Sequence, residues 1–151
     1  TPWLEGSPLN TPFDDDGIVL SPLQIIRDGA VVAFHGSTQY ASYLGFIPSG
    51  TMGNILVGGG SKSESELRAE PYLEAAVFSD FSMDLQTGNF GGEIRLANLF
   101  DGKETVPVTG GSVTGNLMEL HETILLSGEL ETVEGYRGPK LARVSGASIA
   151  G

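Results

Sequence analysis

Two Asp-Gly steps, Asp28-Gly29 and Asp101-Gly102, sit between runs of apolar and β-branched residues and constrain this chain more than any other feature. Asp-Gly tolerates the positive φ values of a tight type I′ turn, so each step predicts an antiparallel hairpin. Residues 23–26 and 30–34 flank the first step; residues 93–99 and 105–108 flank the second. Further strands are predicted over 54–57, 73–78, 81–85 and 141–149, with a turn at Thr87-Gly88. Three short helices complete the pattern. Ser37 is placed to cap a helix over 38–44, with Gly45 as its left-handed stop. Ser63-Glu-Ser-Glu66 has the spacing of a capping box for a helix over 64–70, which Pro71 ends. Asn116 is placed to cap the third, with Leu117, Leu120, Ile124 and Leu125 near one face and Gly128 closing it. Short strands with dispersed helices predict an α+β fold, mainly an antiparallel β-sheet with a few short helices.

Composition bounds the function. A chain of 151 residues has the length of one domain, and that length allows roughly 70% of the unfolded surface to be buried. The 22 Gly and 8 Pro fit many turns, while 40% apolar residues argue against disorder. The net charge is -11 and the 8 Lys and Arg do not cluster, which argues against direct nucleic-acid contact. Such acidity fits a cytoplasmic surface. Cys is absent, so the chain offers no disulfide, thiolate metal site or Cys nucleophile. No apolar run approaches the roughly 20 residues of a membrane helix, and no signal-like segment opens the chain. The start at Thr1, without an initiator Met, predicts a piece of a longer protein.

Few residues offer chemistry. His35 and His121 are the only histidines. His121-Glu122 starts like a metal-binding helix, but Leu125 and Leu126 stand where a second ligand is needed. His35 follows an apolar strand and reads as a surface or hydrogen-bonded residue. Asp14-Asp15-Asp16 lacks the spaced oxygen ligands of a calcium loop and reads as a solvated turn. The run from Gly58 to Ser63 has the context of a phosphate loop, yet Ser61 stands where that pattern needs its second Gly. No Ser has an evident His/Asp partner. A glycine-rich strand border does leave room for the close approach of an extended peptide, which makes Gly58, Gly59 and Gly60 the candidate peptide-binding residues.

The order of short motifs is more specific than any one of them. It runs through Asp84-Leu-Gln-Thr-Gly88-Asn-Phe90, Leu99-Phe-Asp101-Gly102-Lys103, Val106-Pro107-Val108, Gly115-Asn116-Leu117 and Leu126-Ser-Gly128. Before it come Asp14-Asp15-Asp16-Gly17, Arg27-Asp28-Gly29-Ala30-Val31, the Tyr40–Gly45 segment, Thr51-Met-Gly-Asn54 and Gly58-Gly-Gly-Ser61; Ile149-Ala150-Gly151 closes it. This series resembles the C-terminal region of the TldD/PmbA family, the modulator of DNA gyrase or TldD/TldE peptidase proteins. The resemblance implies a pair of subunits, a zinc-bearing TldD and a PmbA (TldE) that has lost the site. In catalytic members a His-Glu-x-x-x-His helix lies upstream of the region compared, and a Cys-Gly segment follows the last helix. Here Tyr136 or Arg137 takes the place of that Cys, which points to the non-catalytic, PmbA-like branch. What the resemblance then implies is no cofactor in this chain, zinc in the partner or an upstream segment, a TldD-like partner or a homodimer, and unfolded or leader peptides as substrate. Two alternatives stand beside it: a catalytic subunit whose zinc site lies upstream, and a protein-binding scaffold without peptidase action.

Overall fold

A computed structural model describes residues 1–151, which form two compact units. The first comprises 1–58 with 130–138; the second comprises 59–129 with 139–151.

The first unit opens with a loop held by side chains rather than by a ladder. Asn10 closes it in both directions: its Oδ1 accepts the Leu4 N–H at 2.7 Å and its Nδ2 donates to the Leu4 carbonyl at 2.8 Å. Strands β1 (Ile26–Arg27) and β2 (Ala30–Val31) follow as an antiparallel hairpin. Asp28 and Gly29 have φ of 50° and 78°, the two positive values that a type I′ turn demands. The paired segments are shorter than the flanking apolar runs predict, because both faces of the hairpin stay exposed and nothing packs to extend them.

Helix α1 (Thr38–Leu44) ends at Gly45 with φ 77°, as expected. Its N-terminus differs: Ser37 makes no side-chain cap, and the Thr38 N–H instead donates to Asp16 Oδ2 at 3.2 Å. A carboxylate from a distant loop replaces the local hydroxyl. Strand β3 (Ile55–Leu56) lies at one edge of a three-stranded sheet in the order β3-β10-β9, with β9 at Leu130–Val133 and β10 at Tyr136–Pro139. β3 and β10 run parallel, with Tyr136 opposite Ile55 and Arg137 opposite Leu56.

In the second unit α2 (Glu64–Leu67) is a single turn. Its capping box is complete, since Ser63 Oγ accepts the Glu66 N–H at 3.2 Å and Glu66 Oε2 accepts the Ser63 N–H at 2.9 Å. The helix stops before the predicted Glu70. Arg143 Nη1 donates to the Leu67 carbonyl at 2.8 Å and satisfies one of the exposed C-terminal acceptors.

The main sheet combines β4 (Tyr72–Met83), β5 (Asn89–Phe100), β6 (Thr105–Val108), β7 (Ser112–Asn116) and β12 (Ser148–Ala150), all antiparallel. The two strands predicted over 73–85 are one strand. Register shifts between Ala75 and Asp80 absorb the polar Ser79-Asp80 step instead of breaking the ladder.

The second Asp-Gly step is not a two-residue turn. Asp101 Oδ1 accepts the N–H groups of Lys103 and Glu104 at 2.8 and 3.0 Å, so a wider loop joins β5 to β6. The third predicted helix is cut short. Asn116 does cap it, accepting the Met118 N–H at 2.9 Å, but α3 (Leu117–Leu120) gives way to a 3-10 turn at His121–Thr123. Leu125 and Leu126 then form β8, paired with β11 (Ala142–Arg143). The predicted strand over 141–149 is likewise split, at Gly146 with φ 91°.

The fold class is therefore the expected α+β, mainly antiparallel. Burial is lower than the length allows. The chain leaves 10351 Å² accessible, against about 7,300 Å² for a compact body of its mass, and even two separate bodies of half that mass would expose only about 8,800 Å². Leu4, Leu20 and Ala41 are the buried apolar residues of the first unit; Leu67, Ile94 and Ala97 are those of the second.

Candidate functional site

Strand β3 is fixed from behind and open in front. Asn54, just before it, is 3% exposed; its Nδ2 donates to Asn10 Oδ1 at 3.0 Å and its Oδ1 accepts from the Ser7 hydroxyl. The Ile55 N–H donates to the Gly135 carbonyl at 2.7 Å and the Val57 N–H to the Arg137 carbonyl at 2.8 Å. Backbone groups alternate sides along a strand, so Leu56 turns its N–H and C=O away from β10, toward the open edge. The same reasoning applies to β1. The Val32 N–H donates to the Ile25 carbonyl at 2.8 Å, which turns the backbone groups of Gln24 and Ile26 away from β2.

These two edges, neither paired to a strand on its outer side, border one groove of about 620 Å³, which Thr1 also lines, its ammonium donating to the Asn54 carbonyl at 2.9 Å. Leu23, Ile25, Ile26, Ile55, Leu56 and Val57 give it apolar walls. His35 also lines it and accepts the Met52 N–H on Nε2 at 3.0 Å, which leaves Nδ1 as the donor of the neutral ring. No carboxylate lines the groove, although the first unit carries seven acidic side chains against two arginines. Exposed strand edges invite pairing, and the two-residue length of β1 and β3 limits it here. The long edge strand β4 is guarded by Glu74, Asp80 and three register shifts.

The predicted glycines divide between the units. Gly58 lines the groove, and a Cβ built on it meets nothing within 4 Å. Gly59 is exposed and opens the second unit. Gly60 belongs to the packing of that unit: its N–H donates to the Ser127 carbonyl at 2.8 Å, and a Cβ would stand 2.0 Å from the Leu126 carbonyl oxygen. Around it the loop closes on itself, with the Gly128 N–H donating to the Lys62 carbonyl at 2.7 Å and Lys62 Nζ held by Glu66 at 3.2 Å. Its donors face protein acceptors, not an anion.

The remaining candidates are engaged in the backbone. Asp14 Oδ1 accepts the N–H groups of Asp16 and Ile18 at 3.0 and 2.9 Å, and Oδ2 accepts that of Thr51 at 3.0 Å. Partial desolvation raises the Asp14 pKa, but the N–H groups of Ile18, Thr51 and Asp16 together hold it below the usual value. His121 Nδ1 lies 2.8 Å from the Met118 carbonyl. Tyr136 and Arg137 lie on β10 beside β3. No three His, Asp or Glu side chains converge in a group that could hold a metal ion.

Residues 1–151 match the family model described as the PmbA/TldA metallopeptidase C-terminal domain. The chain belongs to the TldD/PmbA family. Three solved structures share the fold of this TldD/PmbA domain. TldE from Thermococcus kodakarensis is 19% identical, with a TM-score of 0.79 over 99% of this chain and 38% of its own. A candidate modulator of DNA gyrase from Thermotoga maritima is 19% identical, with a TM-score of 0.77 over 99% of this chain and 38% of its own. Another from Bacteroides thetaiotaomicron is 24% identical, with a TM-score of 0.78 over 100% of this chain and 35% of its own. The TldD/PmbA domain described thus spans little more than a third of these chains. No curated protein matches it. No helix is long and apolar enough to cross a membrane.

Gly58, named from the sequence, lines the groove, but no signal in the sequence marks the groove itself. Asn54, Asn10 and Ser7 carry no local signal as a cluster, because they meet across more than forty residues of chain.

Proposed function

We propose that this domain is the C-terminal part of a PmbA (TldE)-like, non-catalytic subunit of a TldD/TldE-type metallopeptidase complex in the cytoplasm, and that its first unit holds extended peptides. The observation that carries the reading is the apolar groove between two strand edges, at β1 and β3, neither paired to a strand on its outer side. A peptide laid there gains backbone hydrogen bonds that do not depend on its sequence, as unfolded or leader peptides require. The excess accessible surface supports a second role, in which the domain is covered by other parts of the assembly and forms a chamber wall. Hydrolysis belongs to a TldD-like partner that supplies the zinc. Inductively coupled plasma analysis of the two full-length subunits, separately and together, tests that division; zinc bound stoichiometrically by this subunit alone refutes it.

Peptide binding is tested on the full-length protein with a labelled unfolded peptide. Leu56→Pro removes the outward N–H without touching the bonds to β10, and Gly58→Val fills the groove mouth where a Cβ is tolerated. A lost hydrogen bond is worth about 0.5–1.5 kcal/mol, so Leu56→Pro is expected to weaken binding by about 2-fold to 13-fold. Unchanged affinity in both variants, with unchanged circular dichroism, removes the groove from the reading.

A further inference from the structure

The chain contains three Asp-Gly steps, at Asp16, Asp28 and Asp101, and the fold treats them differently. Among aspartyl steps, Asp-Gly is the most open to intramolecular attack, because glycine has no side chain to shield its nitrogen. The Gly nitrogen attacks the Asp Cγ: an N–Cγ bond forms, a Cγ–O bond breaks, and the carboxyl oxygen leaves with protons as water. The resulting succinimide is reopened by water at either carbonyl. Attack at Cγ restores aspartate; attack at the main-chain carbon leaves the chain running through the β-carboxyl, as isoaspartate. Water is the only other reactant.

At Asp16 both partners are occupied. Its Oδ2 accepts the Thr38 N–H at 3.2 Å, and the Gly17 N–H donates to the Asp14 carbonyl at 3.0 Å. At Asp101 the carboxylate is held by the N–H groups of Glu104 and Lys103, which also keep it ionised by lowering its pKa. β5 and β6 hold both ends of that loop. Asp28 lacks these restraints on its carboxylate. Neither its carboxylate nor the Gly29 N–H makes a hydrogen bond, and the flanking strands are two exposed residues each. Short exposed pairs open locally at little free-energy cost.

We propose that Asp28–Gly29 is a site of spontaneous isoaspartate formation, selected over Asp16 and Asp101 by the fold. The added backbone atom would break the two-residue turn that sets the β1–β2 register, and β1 borders the groove. The modification would therefore age that surface.

The test uses the full-length protein, incubated for weeks at neutral pH in water enriched in oxygen-18. Peptide mapping with electron-transfer fragmentation then locates label and isoaspartate at each step. Native protein is expected to show isoaspartate at Asp28 in excess of the other two sites by about tenfold, the ratio that ~1.4 kcal/mol of protection gives. In urea the three sites should converge, and Asp28→Glu should abolish the main signal, since the longer side chain closes a six-membered ring slowly. Comparable isoaspartate at Asp16 or Asp101 in the native protein overturns the proposal, as does its absence at Asp28. The same preference for Asp28 in urea also overturns it, because the fold would then not be the cause.

Discussion

Replacing Gly60 by Ala isolates what one glycine of the Gly58-Gly59-Gly60 run does. The Gly60 φ is not in the left-handed region, so backbone conformation is not the obstacle. Space is. The new methyl would stand 2.0 Å from the Leu126 carbonyl oxygen and 2.6 Å from the Leu126 Cβ. Both belong to a segment that cannot yield cheaply: Leu126 pairs with Ala142, and the Ser127 N–H donates to the Leu141 carbonyl at 2.9 Å. Overpacking costs about 1–3 kcal/mol, and a clash with backbone belongs at the upper end. At about 2–4 °C per kcal/mol for a chain of this size, roughly 3 kcal/mol lowers Tm by about 6–12 °C. Gly58→Ala is the control, since its Cβ enters open space and should change stability by no more than about 0.5 kcal/mol. Thermal unfolding followed by circular dichroism measures both. Equal midpoints for the two variants would refute the assignment of Gly60 to packing and Gly58 to the groove.

Two further outcomes follow from the same contacts. The Glu66 pKa is lowered to about 2, first by the Ser63 N–H, then by the Ser63 hydroxyl and by Lys62. A depressed carboxylate stabilises above its unfolded value of 4.5, and that contribution is lost as pH falls toward about 2. The gap in urea midpoint between wild type and Glu66→Gln should therefore close across this window, and a gap independent of pH would contradict the capping role. Asn54→Ala leaves the Ser7 hydroxyl and Asn10 without their buried partner, at a cost of about 1–3 kcal/mol. Hydrogen exchange should then rise at the Leu4 and Leu9 amides, which the same cluster holds; protection unchanged there would show that Asn54 does not anchor the loop.

The sequence alone determined the features that rest on local geometry. Asp28-Gly29 specifies its turn because only such residues accept two positive φ values in succession. Gly45 stops its helix, and Ser63 and Glu66 cap theirs, through bonds that span four residues or fewer. The α+β class and the TldD/PmbA family were legible in the same way, from turn signals in a fixed order. Tertiary structure decided whatever depends on a distant partner. Asp16 takes the capping role from Ser37, and the helix predicted through Leu125 gives way where Leu125 and Leu126 pair with β11. The groove is the clearest case. Nothing in the sequence near Leu56 states that one side of β3 is paired and the other bare, because hydrogen-bond partners in a sheet are chosen by packing, across any length of chain.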